Sequence, residues 1–135
     1  MAEDRFDDWE KPQIKEKKLH PKYYFLVQHK EKLKLGVNTD IGAFTYINAR
    51  YGVLIEKNVQ IGSHCSIYTI STIDGKKGKI VIKENARIGT HSTIMPGVTI
   101  GKNSLIGAYS FVNKSIPDDS LAYGVPIKII GKNKG

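Results

Sequence analysis

Aliphatic residues recur at every sixth position through the second half of the chain: Ile82, Ile88, Ile94, Ile100, Ile106 and Val112. The same beat runs earlier through Leu35, Ile41 and Ile47, shifts by two after Val53, and resumes at Ile55, Ile61 and Ile67. It is interrupted between Tyr68 and Lys79. A helix buries a face every 3.6 residues and a strand every second residue. A flat strand would also need apolar residues where Thr90, Ser92, Lys102 and Ser104 stand. A chain that turns a corner every six residues meets the pattern, with three short strands forming one triangular coil of about 18 residues. Each aliphatic side chain then points inward and stacks on its equivalents above and below. Pairs such as Val53/Ile55, Val59/Ile61 and Val98/Ile100 fit alternation along each short strand. Glycine follows the aliphatic residue at Gly36, Gly42, Gly62, Gly89, Gly101 and Gly107, which predicts backbone freedom near the corners.

All 13 glycines lie at or beyond Gly36, so the first part of the chain follows other rules. The expected organisation is an N-terminal arm over 1–34, a repeat domain over 35–130 and a short basic tail over 131–135. "MAEDRFDDWEKPQIKEKK" alternates charge with isolated apolar residues and reads as a mobile or docked arm. "PKYYFLVQHKEKLKL" suits a short strand or a helix equally. Trp9, Tyr23 and Tyr24 are the residues expected to fasten the arm to the body or to a neighbouring subunit.

At 135 residues the chain is one domain with room for a core. No apolar run suits a leader or a membrane span, and Cys65 is the only cysteine, a pattern expected of a reducing cytoplasm. Cys65 itself reads as a small buried hydrophobe. The net charge of +8 is uneven: residues 1–10 hold five acids and one Arg, whereas residues 11–34 hold eight Lys and two Glu. A basic chain invites a nucleic-acid partner. Without a recognition-helix pattern or an RNA-binding aromatic signature, nucleic acid is not the expected partner. A solvated surface or a polyphosphate ligand accounts for the charge.

The stretch 35–130 resembles the hexapeptide-repeat acyltransferases. Within it, "IMPGVTIGKNSLIGAYSFVNKSIPDDSLAYGVPIKII" is similar to the stretch that closes the galactoside, maltose and nucleotide-sugar acetyltransferases. The resemblance implies an all-β fold, the left-handed parallel β-helix. It also implies acetyl-coenzyme A as cosubstrate and a homotrimer with sites between subunits. Family members contact the pantetheine arm from the residue after the glycine in successive coils, here Thr90 and Ala108. Lys114 and Lys128 stand where the family places basic residues near the coenzyme phosphates, and Asn113 takes a position often filled by Thr. "TYINARYGVLIE" resembles the acceptor-side segment of the galactoside enzymes and implies Tyr46, Asn48 and Glu56 as sugar-binding residues.

The chain then departs from that family. The sugar O-acetyltransferases carry a catalytic His in a Thr-Gly-His-Pro-like loop, but the comparable "YTISTIDGKKGKI" has none. Asp74 falls near the missing imidazole, although an unperturbed carboxylate is a weak base at neutral pH. Two histidines occupy matching words, His64 in "IGSHCS" and His91 in "IGTHST", 27 residues apart. If the 68–80 segment bypasses a rung the two stack one coil apart; if Ile73 is itself a rung they lie on different faces. His64 and Asp74 are the candidate acid/base groups. His91 reads as a corner hydrogen-bonding residue, and His20 and His29 as structural.

An amine acceptor eases the missing base, because a neutral amine attacks a thioester readily. The expected reaction is therefore acetyl transfer to a sugar, preferably the amino group of a nucleotide-linked amino sugar. A sugar hydroxyl and a noncatalytic scaffold are the alternatives. A γ-carbonic-anhydrase-type zinc site shares the fold but needs three His ligands. The repeat holds only His64 and His91, so no metal is expected.

Overall fold

Each aliphatic beat is a short strand that hydrogen-bonds in parallel to the strand one coil away. A computed structural model describes residues 5–135. The first coil holds β1 (Leu26–Gln28), β2 (Leu33–Leu35) and β3 (Asp40–Ile41). The second holds β4 (Tyr46–Asn48), β5 (Val53–Ile55) and β6 (Gln60–Ile61). The third holds β7 (Ser66–Tyr68), β8 (Ile80–Ile82) and β9 (Arg87–Ile88). The fourth holds β10 (Thr93–Ile94), β11 (Thr99–Ile100) and β12 (Leu105–Ile106). The fifth begins with β13 (Phe111–Val112), touches the second sheet through a single Ile100–Ile116 bridge, and continues into β14 (Ser120–Tyr123). β15 (Lys128–Lys132) folds back antiparallel on β14.

Three parallel sheets result: β1-β4-β7-β10-β13, β2-β5-β8-β11 and β3-β6-β9-β12-β14, the last extended by β15. The coil register equates Ile61 with Ile88 and Ile106, and Ile47 with Ile67, Ile94 and Val112. The interior is this aliphatic stack: Ile47, Ile55, Ile67, Ile82, Ile94, Ile100 and Val112 are all fully buried. Cys65 is buried too, and burial raises its thiol pKa, so it serves as a small core residue.

Two readings of the sequence need correction. The β-helix starts at Leu26, not at residue 35, so both "LVQ" and "LKL" are strands, joined by one 3₁₀ turn at Lys30–Lys32. Within the first coil only β1 escapes the repeat pattern, at the end of the prism that the arm covers. At the other end, residues 131 and 132 belong to β15 and not to a tail.

The glycines after the aliphatic residues also have a different reason. The positive-φ glycines are Gly52, Gly75, Gly97 and Gly124, none of which follows a six-residue beat. At Gly89 a Cβ would lie 2.5 Å from the backbone nitrogen of Ala108 in the next coil. Close approach of neighbouring coils, not conformational freedom, requires glycine there.

The corners instead use L-residues in the left-handed region. After the second sheet come Asn38, Asn58, Asn85, Asn103 and Asp119, all with φ between 53° and 64°. Asn and Asp tolerate this conformation best. They also bond to one another along the axis: Asn85 Nδ2 donates to Asn103 Oδ1 at 2.8 Å, and Asn103 Nδ2 to Asp119 Oδ1 at 3.1 Å.

The arm crosses the open N-terminal end. Trp9 Nε1 donates to the Thr39 carbonyl at 2.7 Å, Arg5 pairs with Asp40, and Ile14 and Tyr23 pack on the core. The Glu16 carboxylate accepts the amides of His29 and Lys30 at 2.7 and 2.8 Å, which hold its pKa below the usual range. Trp9 and Tyr23 thus fasten the arm as expected, while Tyr24 is half exposed.

Candidate active site

Where the third sheet turns into the first, the residue after each glycine is small: Ser63 in the second coil, Thr90 in the third and Ala108 in the fourth. The strand register stacks them, and corner hydrogen bonds tie them, His91 N to Ser63 O at 3.1 Å and Tyr109 N to Thr90 O at 2.9 Å. Beside this column runs an open groove of about 540 Å³, lined among others by Gln60, Ser63, Arg87, Gly89, Gly107 and Ala108. The glycine row forms part of its wall. Arg87 contributes a guanidinium whose Nη2 donates to Asn85 Oδ1 at 3.1 Å. Its Nη1 has no partner among the described residues. Thr90 and Ala108 therefore stand one coil apart, as the sequence implied. Ser63 extends the column; the parallel words "IGSH" and "IGTH" already carried that signal.

The next residue along each corner forms a second column, in the left-handed region: Phe44, His64, His91 and Tyr109, with φ of 63°, 56°, 59° and 60°. Their side chains are exposed and stack. His64 and His91 lie 4.7 Å apart with planes within 4°, and His91 and Tyr109 lie 4.8 Å apart within 8°. Phe44 leans on His64 at 5.4 Å and 41°. The coil spacing of a parallel β-helix equals the strand spacing of a sheet, about 4.8 Å. That is also a stacking distance for aromatic rings. The 27-residue separation of the histidines is thus resolved: the segment after β7 is a projecting hairpin with an Ile70–Lys77 bridge, and Ile73 is 97% exposed. It bypasses a rung.

Within the histidine pair the hydrogen bonds are unequal. His91 Nδ1 lies 2.9 Å from Thr90 Oγ1, which itself donates to the Ser63 carbonyl at 2.8 Å and meets Ser63 Oγ at 3.1 Å. Among the described residues, His64 has no such ring contact.

The remaining expected residues scatter over the prism. Asp74 is at the hairpin, where hydrogen bonds from the Ser71 hydroxyl and the Lys76 amide hold its carboxyl below the usual range. Tyr46 and Asn48 share the outer face of β4. The Tyr46 hydroxyl is 2.5 Å from Gln28 Oε1, its ring meets Tyr68 edge-on, and burial raises its pKa. Asn48 Oδ1 accepts the Arg50 amide at 3.2 Å. Glu56 stands one corner further on, after β5, where it accepts the Glu84 amide at 2.9 Å. One chain does not bring Glu56 to Tyr46 and Asn48. Asn113 and Lys114 are exposed just after β13, and Lys128 opens β15 opposite Tyr123. They lie at the C-terminal end of the prism.

The bacterial transferase hexapeptide family (six repeats) matches residues 79–114. The galactoside O-acetyltransferase of Escherichia coli (strain K12) is 37% identical over 110 residues, covering 70% of this chain and 54% of its own length. The chain carries that family's hexapeptide repeat. This hexapeptide-repeat chain spans about half the length of the curated relatives it matches. Among solved structures, a hexapeptide-repeat acetyltransferase of Vibrio cholerae O1 biovar eltor, complexed with acetyl coenzyme A, superposes with a TM-score of 0.77 at 29% identity. That match covers 82% of this chain and 66% of the other. AntD, an N-acyltransferase from Bacillus cereus in complex with dTDP and 3-hydroxybutyryl-CoA, superposes with a TM-score of 0.73 at 25% identity, covering 82% and 67%. The fold is the left-handed parallel β-helix. Among the described residues no helix is long and apolar enough to cross a membrane, and no three His, Cys, Asp or Glu side chains cluster to hold a metal ion.

Proposed function

We propose that this chain is an acetyl-coenzyme A-dependent acetyltransferase whose acceptor is a sugar, with the amino group of a nucleotide-linked amino sugar as the preferred nucleophile. The observation that carries it is the Ser63–Thr90–Ala108 column beside a groove walled by glycines, a surface on which a thin pantetheine chain can lie against backbone. Thr90 and Ala108 contact that arm, and Asn113, Lys114 and Lys128 hold the phosphate end. Relatives complexed with acetyl coenzyme A or with 3-hydroxybutyryl-CoA support the assignment.

An amine acceptor follows from the hairpin. Its only carboxylate, Asp74, is exposed and weakened as a base by its own hydrogen bonds, so the hairpin offers little help to a hydroxyl nucleophile. The dTDP in the AntD complex is consistent with a nucleotide-linked acceptor. Transfer to a hydroxyl is the second reading, favoured by the match to the galactoside O-acetyltransferase. Tyr46, Asn48 and Glu56 bind the acceptor. Because Glu56 sits on a different corner from the other two, a complete acceptor site draws them from two subunits of a homotrimer. A cytoplasmic enzyme fits the supply of acetyl-coenzyme A.

The test is acetyl-coenzyme A consumption against sugars, amino sugars and their nucleotide-linked forms, with products read by mass spectrometry and oligomeric state by light scattering. Turnover with a nucleotide-linked amino sugar is expected. Coenzyme A binding without turnover on any acceptor would instead mark a scaffold.

A further inference from the structure

The aromatic corner column holds two exposed imidazoles, and their surroundings give them different chemistry. A carbonyl oxygen carries no proton, so the 2.8 Å contact between Thr90 Oγ1 and the Ser63 carbonyl requires the Thr90 hydroxyl to donate. That hydroxyl has one proton, and it is now committed. The 2.9 Å contact between Thr90 Oγ1 and His91 Nδ1 must then be made by a proton on Nδ1. In the neutral imidazole this leaves the lone pair on Nε2, at the opposite edge of an exposed ring.

The ring cannot readily turn away. It is sandwiched between the parallel faces of His64 and Tyr109, at 4.7 and 4.8 Å. Should Nε2 take up a proton, the imidazolium keeps Thr90 Oγ1 as acceptor and gains the π face of Tyr109. His64 lacks the first of these: it lies between His91 and a tilted Phe44, and no hydrogen bond among the described residues selects its tautomer.

We propose that His91 Nε2 is the general base of the acetyl transfer, oriented through the Ser63–Thr90–His91 hydrogen-bond chain, and that His64 packs against it as a positioning residue. The proposal rests on the acetyltransferase reading, since Thr90 and Ala108 on the same corner place the thioester beside this ring. In the step, the acceptor nitrogen attacks the acetyl carbonyl carbon and the C–S bond breaks. The proton lost by the nitrogen passes to His91 Nε2 and from there to the departing thiolate. An amide and free coenzyme A result, and the imidazole is returned neutral.

The experiment combines two readouts that fail separately. Imidazole ¹⁵N chemical shifts report the tautomer of His91 in the wild-type protein whether or not an acceptor is known, and the Nδ1–H form is expected. Kinetics with the best acceptor of the panel, alongside calorimetric coenzyme A titration, report the catalytic role. His91→Asn suits the left-handed backbone there and is expected to lower kcat about a hundredfold, with coenzyme A affinity within about twofold. Exogenous imidazole should restore part of the rate. His64→Gln should cost less than about tenfold. Thr90→Val should shift His91 toward a mixed tautomer and slow turnover, and Thr90→Ser should restore both. An Nε2–H tautomer in the wild type, or a His91→Asn enzyme with near-wild-type kcat, would overturn the assignment while leaving the acetyltransferase reading intact. A wild-type protein that fails to bind coenzyme A overturns both.

Discussion

The side-chain amide of Asn85 donates to the side-chain oxygen of Asn103 one coil further on, at 2.8 Å, and both residues hold φ near +60°. Each therefore serves twice, as a tolerant left-handed residue and as a link along the axis. Asn103→Ala loses two side-chain bonds, to Asn85 and Asp119, and places a Cβ-bearing residue in an unfavoured conformation without compensation. At about 0.5–1.5 kcal/mol per bond and about 1–2 kcal/mol for the backbone, a loss of about 2–5 kcal/mol is expected. Asn103→Gly forfeits the bonds but relieves the backbone, and should cost about half as much. Urea denaturation of the two variants separates the contributions.

Gly89 tests the second kind of constraint. A methyl there would stand 2.5 Å from the Ala108 nitrogen, so Gly89→Ala must push two coils apart. Overpacking of this sort costs about 1–3 kcal/mol. Gly97 has φ +82° and open space around its missing side chain. Gly97→Ala should cost only the backbone conformation, about 1 kcal/mol. Equal losses in chemical denaturation would mean that coil spacing is not what selects glycine after the aliphatic residue.

The inward side of the fold was legible because it repeats. Ile61, Ile88 and Ile106 share one environment, so one residue type recurs at one spacing. The asparagine column was written as regularly, at Asn58, Asn85 and Asn103, but polar residues at a fixed offset read as ordinary turn residues until the coils are stacked. The first strand was hidden because the arm covers that end: Phe25 and Val27 fill the core without the Ile-Gly word. In the site, Thr90 and Ala108 followed from the 18-residue register. What one sequence could not display was the inequality of His64 and His91. Their words match in form, and the difference lies in the hydroxyl of Thr90 against the Ser63 carbonyl.

The arm should make stability depend on pH through His20. Its Nδ1 accepts the amides of Lys22 and Tyr23, both at 3.1 Å, and its ring stacks on Tyr23 and Phe25. Burial and then the Lys22 charge lower its pKa from 6.5. The folded protein thus binds this proton less readily than the unfolded chain. The stability contributed is full above about pH 6.5 and is lost as pH falls through the lowered folded value. Thermal melts at about pH 7.5 and about pH 5 should show a smaller drop for His20→Gln than for wild type.

Lys114 and Lys128 are exposed at the C-terminal end, where the coenzyme phosphates are proposed to lie. Lys114→Glu and Lys128→Glu replace attraction with repulsion and should each weaken coenzyme A binding at low salt. The Debye length falls from about 10 Å at 0.1 M to about 3 Å at 1 M ionic strength. The deficit of each variant relative to wild type should therefore shrink in high salt. A deficit that persists undiminished would point to a local fold defect, which the far-ultraviolet spectrum would reveal.

Ala108 is where the coenzyme assignment is most exposed to failure. It lies one coil beyond Thr90, lines the groove, and points outward while Ile106 of the same corner fills the core. Ala108→Trp adds a large ring to the channel without entering the Ile100–Ile106–Val112 stack, so the β-helix should still fold with near-native melting. The pantetheine chain would have no room beside the column. Coenzyme A affinity measured by calorimetry should fall at least about tenfold, a loss of about 1.4 kcal/mol. Unlike the lysine variants, the defect should be indifferent to salt, because it is steric. Unchanged affinity in the folded variant would place the coenzyme away from the Ser63–Thr90–Ala108 corner. His91 would then have no thioester beside it.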